Sequence, residues 1–161
     1  MLSERLQKAM NDQVKNELYS AYLYLSMATY FHAENLPGMA HWMEAQAQEE
    51  VEHAMKFYGY LYDRNARVVL QAIEQPPSDF GSPLGAFKQA LEHEQKVTAM
   101  INNLYAMAVE DKDYASQSFL QWFIDEQVEE EKSATDIIAQ LEMIGDNKVG
   151  LIMLDRQLAQ R

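Results

Sequence analysis

Helix breakers almost vanish from this chain except where stripes of apolar residues at helical spacing come to an end. Its four Pro and six Gly in 161 residues cluster mainly around positions 37, 76–85 and 145–150. Between those points nothing forbids long, unbroken helices. Ser3 can cap a first helix, whose stripe runs Leu6, Met10, Val14, Ala21, Tyr24, Ala28 and Phe31. Asn35-Leu36-Pro37 interrupts it, and Pro37 suits the first turn of a second helix with the stripe Ala40, Met43, Ala47, Ala54, Phe57 and Leu61. Ser82-Pro83 starts a third, with Leu84, Phe87, Leu91, Val97, Ile101, Leu104 and Ala108 inward. Asp113 caps a fourth, carrying Phe119, Phe123, Ala134, Ile137, Leu141 and Ile144 to its stop at Gly145. A short fifth helix is expected from about residue 147 to 158.

The pattern predicts an all-α fold with four helices of about 28 residues, each about 42 Å long. Such lengths belong to helix bundles. The first and third links are too short for anything but antiparallel hairpins. The stretch from Asn65 to Ser82 has 18 residues. Extended, it reaches about 59 Å, enough to run the whole bundle and leave helices two and three parallel. Its Val68, Val69, Leu70 and Ile73 are expected to pack on the bundle or on a neighbouring subunit. An apolar content of 48% supports one core, so residues 1–161 read as a single domain.

Charge and cysteine usage narrow the function. The net charge of −12 argues against nucleic acid and anionic membrane surfaces as partners, and favours cations. With no cysteine, disulfide frameworks, thiolate zinc sites, iron–sulfur clusters and thiol nucleophiles are excluded. The first residues, Met1 to Gln7, contain no apolar signal-peptide core, and no stretch reaches the length of a membrane span. A cytoplasmic location is the expectation.

Each long stripe also carries polar residues where apolar ones belong. They are Glu17 between Val14 and Ala21, Glu50 with His53 one turn on, Glu94 between Leu91 and Val97, and Gln127 with Glu130 between Phe123 and Ala134. Glu17, Glu50, Glu94 and Gln127 all fall within about three residues of a helix midpoint, about 4.5 Å of rise. Midpoints meet at one level of a bundle whichever way each helix runs. Any one of these side chains alone reads better as a stripe-edge residue reaching for water. Four helices agreeing on one height is another matter. Buried carboxylates cost several kcal/mol each, roughly, unless they take up protons or surround cations. Carboxylates with one imidazole suit iron or manganese, and accept zinc, and this number of groups is enough to bridge two metals.

The set Glu17, Glu50-Val51-Glu52-His53, Glu94 and Gln127-Val128-Glu129-Glu130 resembles the ferroxidase centre of ferritins, and the whole chain is similar to bacterial non-haem ferritins. The resemblance implies a ferritin-like four-helix bundle with a long crossover between helices two and three and a short fifth C-terminal helix. It implies that Glu17, Glu50 and His53 bind one iron, that Glu50 bridges, and that Glu94 and Glu130 complete a second site with Gln127 beside it. Tyr24 matches a tyrosine next to the centre, and Trp122 an aromatic linked to electron transfer. Glu49, Glu126 and Glu129 match glutamates of a third iron site, all three positions together, which favours that site over a plain solvated acidic face. The implied activity is oxidation of Fe(II) by O2 or peroxide, with ferric mineral stored in a homo-oligomeric shell of 24 subunits. In that shell Leu151, Ile152 and Leu154 of the last helix would meet at a fourfold axis.

Departures from relatives matter too. Bacterioferritins carry a second E-x-x-H on the last long helix, where this chain reads Gln127-x-x-Glu130, and use a methionine at the position of Glu52 to bind haem. No haem is expected. Two rivals stay open: a di-iron or di-manganese oxidoreductase acting on peroxide or an organic substrate, and a metal-free structural bundle.

Overall fold

The computed structural model describes residues Met1–Arg161. Five helices follow in order: α1 (Glu4–Ala33), α2 (Pro37–Asp63), α3 (Pro83–Glu110), α4 (Tyr114–Ile144) and α5 (Lys148–Leu158), with no strand. The start signals act as expected. Ser3, Ser82, Asp113 and Asn147 each accept a hydrogen bond from the backbone N–H three residues on. The stops share one device. Asn35, Asn65 and Lys112 take positive φ of 58°, 58° and 52°. The next N–H then reaches back to the Phe31, Leu61 and Ala108 carbonyls, at 3.0, 2.8 and 2.9 Å.

α2 lacks a side-chain cap of its own, because Leu36 stands at its N-cap. Asp155 of α5 supplies one from a distance, accepting from the Gly38 and Met39 N–H groups at 3.1 and 2.7 Å. The approach is so close that a Cβ on Gly38 would lie 1.7 Å from the Asp155 carbonyl oxygen. Only glycine fits there.

α1 packs along α2, and α3 along α4. The segment between α2 and α3 climbs beside α1, as its length allows. Asn11 holds both backbone groups of Val69 at 2.8 and 3.0 Å, Asp12 accepts from Gln71 at 2.7 Å, and Lys15 meets Glu74 at 3.3 Å. Further up, Ser26 donates to the Pro77 carbonyl and Tyr30 packs edge-on to Phe80. Contact positions rise together on both segments, so the crossover runs parallel to α1 and leaves α3 parallel to α2. Val68 is buried on the bundle, whereas Val69, Leu70 and Ile73 face outward.

The apolar core is in two parts. One holds Leu6, Met10, Phe57, Leu61, Ile101, Leu104, Leu120 and Phe123; the other holds Met27, Phe31, Met39, Met43, Phe87, Ile138 and Leu141. The second part also includes Leu154 and Leu158. This corrects one expectation: Leu154 is buried against its own bundle, while Ile152 is half exposed. The reason is the Asp155 cap, which draws α5 onto α2 and turns its neighbour inward.

Candidate metal centre

The level between the two apolar parts is polar and buried. Glu17, Glu50, His53, Glu94, Gln127 and Glu130 all lie there. Each rides an inward stripe whose apolar members enter the two parts of the core, so packing at both ends fixes its height and direction. Ligand atoms of Glu17, Glu50 and His53 fall within 4.8 Å of one another, and so do those of Glu50, Glu94 and Glu130. Glu50 belongs to both groups. A third group joins His53 to Glu126 and Glu130.

Only one imidazole serves this set of carboxylates. His53 Nδ1 lies 3.2 Å from a Glu50 oxygen and 3.9 Å from Glu17, and its Nε2 lies 3.9 Å from Glu126. The acids are therefore held far from their ordinary state. Burial, with the Glu50 charge added, holds Glu17 well above the usual carboxylate range. Burial and the charges of Glu94 and Glu130 do the same to Glu50. Burial, then Glu94, pushes Glu130 up to about 8. Glu94 is also raised by burial, although hydrogen bonds from Tyr24 and Gln127 pull it back. Two buried carboxylate oxygens, Glu17 Oε2 and Glu130 Oε1, have no hydrogen-bond partner. Orphaned acceptors of this kind cost about 1–3 kcal/mol each, more when charged. A carboxylate-rich nest with free lone pairs fits hard cations bound by oxygen and one nitrogen.

A ring of neutral donors orients the acids. Gln13 donates to Glu17 at 2.9 Å, and Gln46 to both Glu50 and Glu130 at 3.2 and 2.6 Å. Tyr24 donates to Glu94 at 2.5 Å, and burial beside that carboxyl keeps its phenol well above its usual range, a neutral donor. The Gln127 amide donates to the Glu94 carboxylate at 3.1 Å and to the Thr98 hydroxyl at 3.1 Å. Gln13 and Gln46 were missed in the sequence, yet the signal was there. Each precedes a site glutamate by four residues on the same helix face, the spacing at which such pairs hydrogen-bond.

The acidic trio is not assembled in the same way. Glu126 joins His53 and Glu130, but Glu49 and Glu129 enter no ligand-distance group. Glu49 instead pairs with Arg161 at 3.0 Å. Trp122 stands at the edge of the centre, its ring 5.3 Å from the His53 ring and capped by Lys56 Nζ at 3.6 Å. The cleft of about 300 Å³ beside it is lined by Trp122, Phe123 and Lys56 and by none of the buried carboxylates. His93, on the next residue but a different face from Glu94, hydrogen-bonds Ser20 at 2.7 Å, and burial lowers it to about 4. It is an interhelix packing residue. His32 and His41 lie at the surface, against Glu44 and the Arg161 carbonyl.

Comparison with known proteins agrees with this fold. The family model described as a ferritin-like domain matches residues 7–144. A bacterial non-heme ferritin of Bacteroides fragilis (strain 638R) is 41% identical over 161 residues, covering all of both chains. One from Staphylococcus aureus (strain USA300) is 43% identical, covering all of this chain and 97% of the other. Among solved structures, an open pore ferritin from the hyperthermophilic archaeon Archaeoglobus fulgidus superimposes with a TM-score of 0.99 at 49% identity, over 100% of this chain and 99% of that one.

Proposed function

The chain belongs to the ferritin family, and from that premise we propose that it oxidises Fe(II) at the mid-bundle centre and stores the ferric product inside a protein shell. One observation carries the reading. Four glutamates and a single histidine from four helices share one buried level, and two of the carboxylate oxygens there have no partner inside the protein.

Iron is the substrate. Glu17, Glu50 and His53 form one half of the site and Glu50, Glu94 and Glu130 the other, with Glu50 common to both. The raised acids hold protons while no cation is present. Arrival of two Fe(II) ions displaces those protons and satisfies the orphaned oxygens. Carboxylate ligands then favour the harder, more charged Fe(III), so electrons leave readily to O2 or peroxide. Gln13, Gln46, Tyr24 and Gln127 keep the carboxylates aimed while the charge changes. Their donated hydrogen bonds stabilise the ionised form that iron needs. Trp122, in edge contact with His53, lies on a route for electrons toward the surface.

Several finer points belong to the same proposal. The enzymatic step is iron(II):oxygen oxidoreduction. Each subunit holds two iron ions, with a third near Glu49, Glu126 and Glu129. The shell has 24 subunits, lies in the cytoplasm and is built from this one domain, residues 1–161. The outward Val69, Leu70 and Ile73 and the exposed Ile152 and Met153 are faces for other subunits. The test starts from iron-free protein of measured assembly size, to which Fe(II) is added in air. Rapid oxidation with iron kept in a large soluble particle supports the reading. Oxidation at the parent rate by His53→Ala and Glu130→Ala sinks the assigned centre. Organic turnover by a small oligomer favours the oxidoreductase rival.

A further inference from the structure

Arg161 follows α5 and reaches the metal centre from outside the four-helix bundle. Its guanidinium donates to the Trp42 backbone carbonyl at 3.3 Å and to the Gln46 side-chain Oε1 at 2.7 Å. It also pairs with Glu49 at 3.0 Å and lies 4.5 Å over the Trp42 ring. His41 Nε2 donates to its backbone carbonyl at 2.9 Å. The Asp155 cap on α2 anchors the helix that brings it there.

An amide is asymmetric, with an accepting oxygen on one side and a donating NH2 on the other. A guanidinium has donors only. Facing Arg161, Gln46 must present its oxygen outward, which leaves its NH2 for Glu50 and Glu130. The opposite orientation would set carbonyl lone pairs against two groups that must be carboxylates once a cation binds. The same guanidinium pairs with Glu49, which enters no ligand-distance group.

We propose that Arg161 is a positioning residue of the centre: through Gln46 it keeps Glu50 and Glu130 ready for the metal pair, and by pairing with Glu49 it weakens cation binding at the neighbouring acidic trio. The proposal rests on the metal-centre reading above. It makes the two kinds of site respond oppositely to one residue, which a merely structural role does not.

The test is anaerobic titration of the assembled protein with Co(II), followed by visible absorption and calorimetry. Arg161→Ala binds the first two ions about fivefold more weakly, the worth of one hydrogen bond of about 1 kcal/mol. It binds the third about threefold more tightly, as expected on losing a surface ion pair of up to about 1 kcal/mol. Arg161→Lys restores the third-ion weakening but not the pair affinity, because an ammonium lacks the fork that holds Gln46 and Glu49 together. In a Gln46→Ala background, Arg161→Ala no longer changes the pair affinity. Affinities that stay at parent values in Arg161→Ala, or that all move in one direction, overturn the proposal. Glu50→Ala is the control: if the parent binds no pair and Glu50→Ala matches it, the metal-centre reading itself fails. If Glu50→Ala loses the pair and Arg161→Ala changes nothing, only the role of Arg161 fails.

Discussion

Glu49 and Glu50 are neighbours in the sequence with opposite surroundings. Glu50 is 2% exposed, faces Glu17, Glu94 and Glu130, and is held far above the usual carboxylate range. The Glu49 side chain is 43% exposed and has Arg161 for company. The contrast extends to the regions they represent. The centre concentrates acids where water cannot solvate them, so their charge creates a demand that only protons or cations meet. The acidic face has water and a cation of its own, so its acidity alone demands nothing. Acidic composition is therefore a poor guide to metal binding, and burial of the acids a good one.

The contrast is broken most directly by the paired substitutions Glu50→Gln and Glu49→Gln. Stopped-flow Fe(II) oxidation is expected to fall more than about 100-fold in the first, beyond the loss typical of residues that only support a ligand. In the second it stays within about twofold of the parent. Equal losses would erase the distinction between the two regions.

Next in size is the pH dependence of the iron-free protein. Glu130 has its folded-state pKa raised to about 8, with desolvation the main cause. Between the ordinary carboxylate range and that value the folded state binds more protons than the unfolded one. Stability is then greatest below the unfolded pKa and declines as pH rises through about 8. Denaturation at pH 5, 7 and 8.5 should show a loss of roughly 3 kcal/mol, discounted for incomplete burial. Glu130→Gln should flatten the slope, and saturating Zn(II) should reverse its sign, because a metal takes the ionised acids. A stability that rises with pH in the iron-free parent contradicts the raised carboxyls.

Tyr24→Phe probes the ring of donors. It removes the hydrogen bond to Glu94 and little volume, and should slow oxidation about tenfold while leaving assembly intact. An unchanged rate would mean that packing alone aims Glu94. The smallest effect belongs to the exposed side. Glu126→Ala with Glu129→Ala should lower the number of ions bound per subunit by one and change the initial oxidation rate by no more than about twofold. A collapse of the initial rate would move those residues into the centre.

Much of this was legible before any coordinates. The helix starts at Ser3, Ser82, Asp113 and Asn147 need only local chemistry, as do the asparagine stops at 35 and 65. The level of Glu17, Glu50, His53, Glu94, Gln127 and Glu130 follows from period and length alone, because a helix is a ruler of constant pitch. Gln13 and Gln46 were legible in principle, being one turn from their glutamates.

Other features exist only in three dimensions. Asp155 caps a helix 116 residues away, and Arg161 holds Gln46 across 115. No periodicity marks such pairs, since they depend on where α5 lands and not on its own pattern. The same docking buries Leu154 and gives Glu49 a counter-charge in Arg161. The sequence by itself therefore determined the bundle, its connectivity and the height of its polar level, all properties carried along single helices. Tertiary structure alone decided which acids come within ligand distance of one another, which acquire a counter-charge, and where the end of the chain docks. Those outcomes are set by distances between helices, where a shift of a few ångströms separates a ligand from a salt bridge.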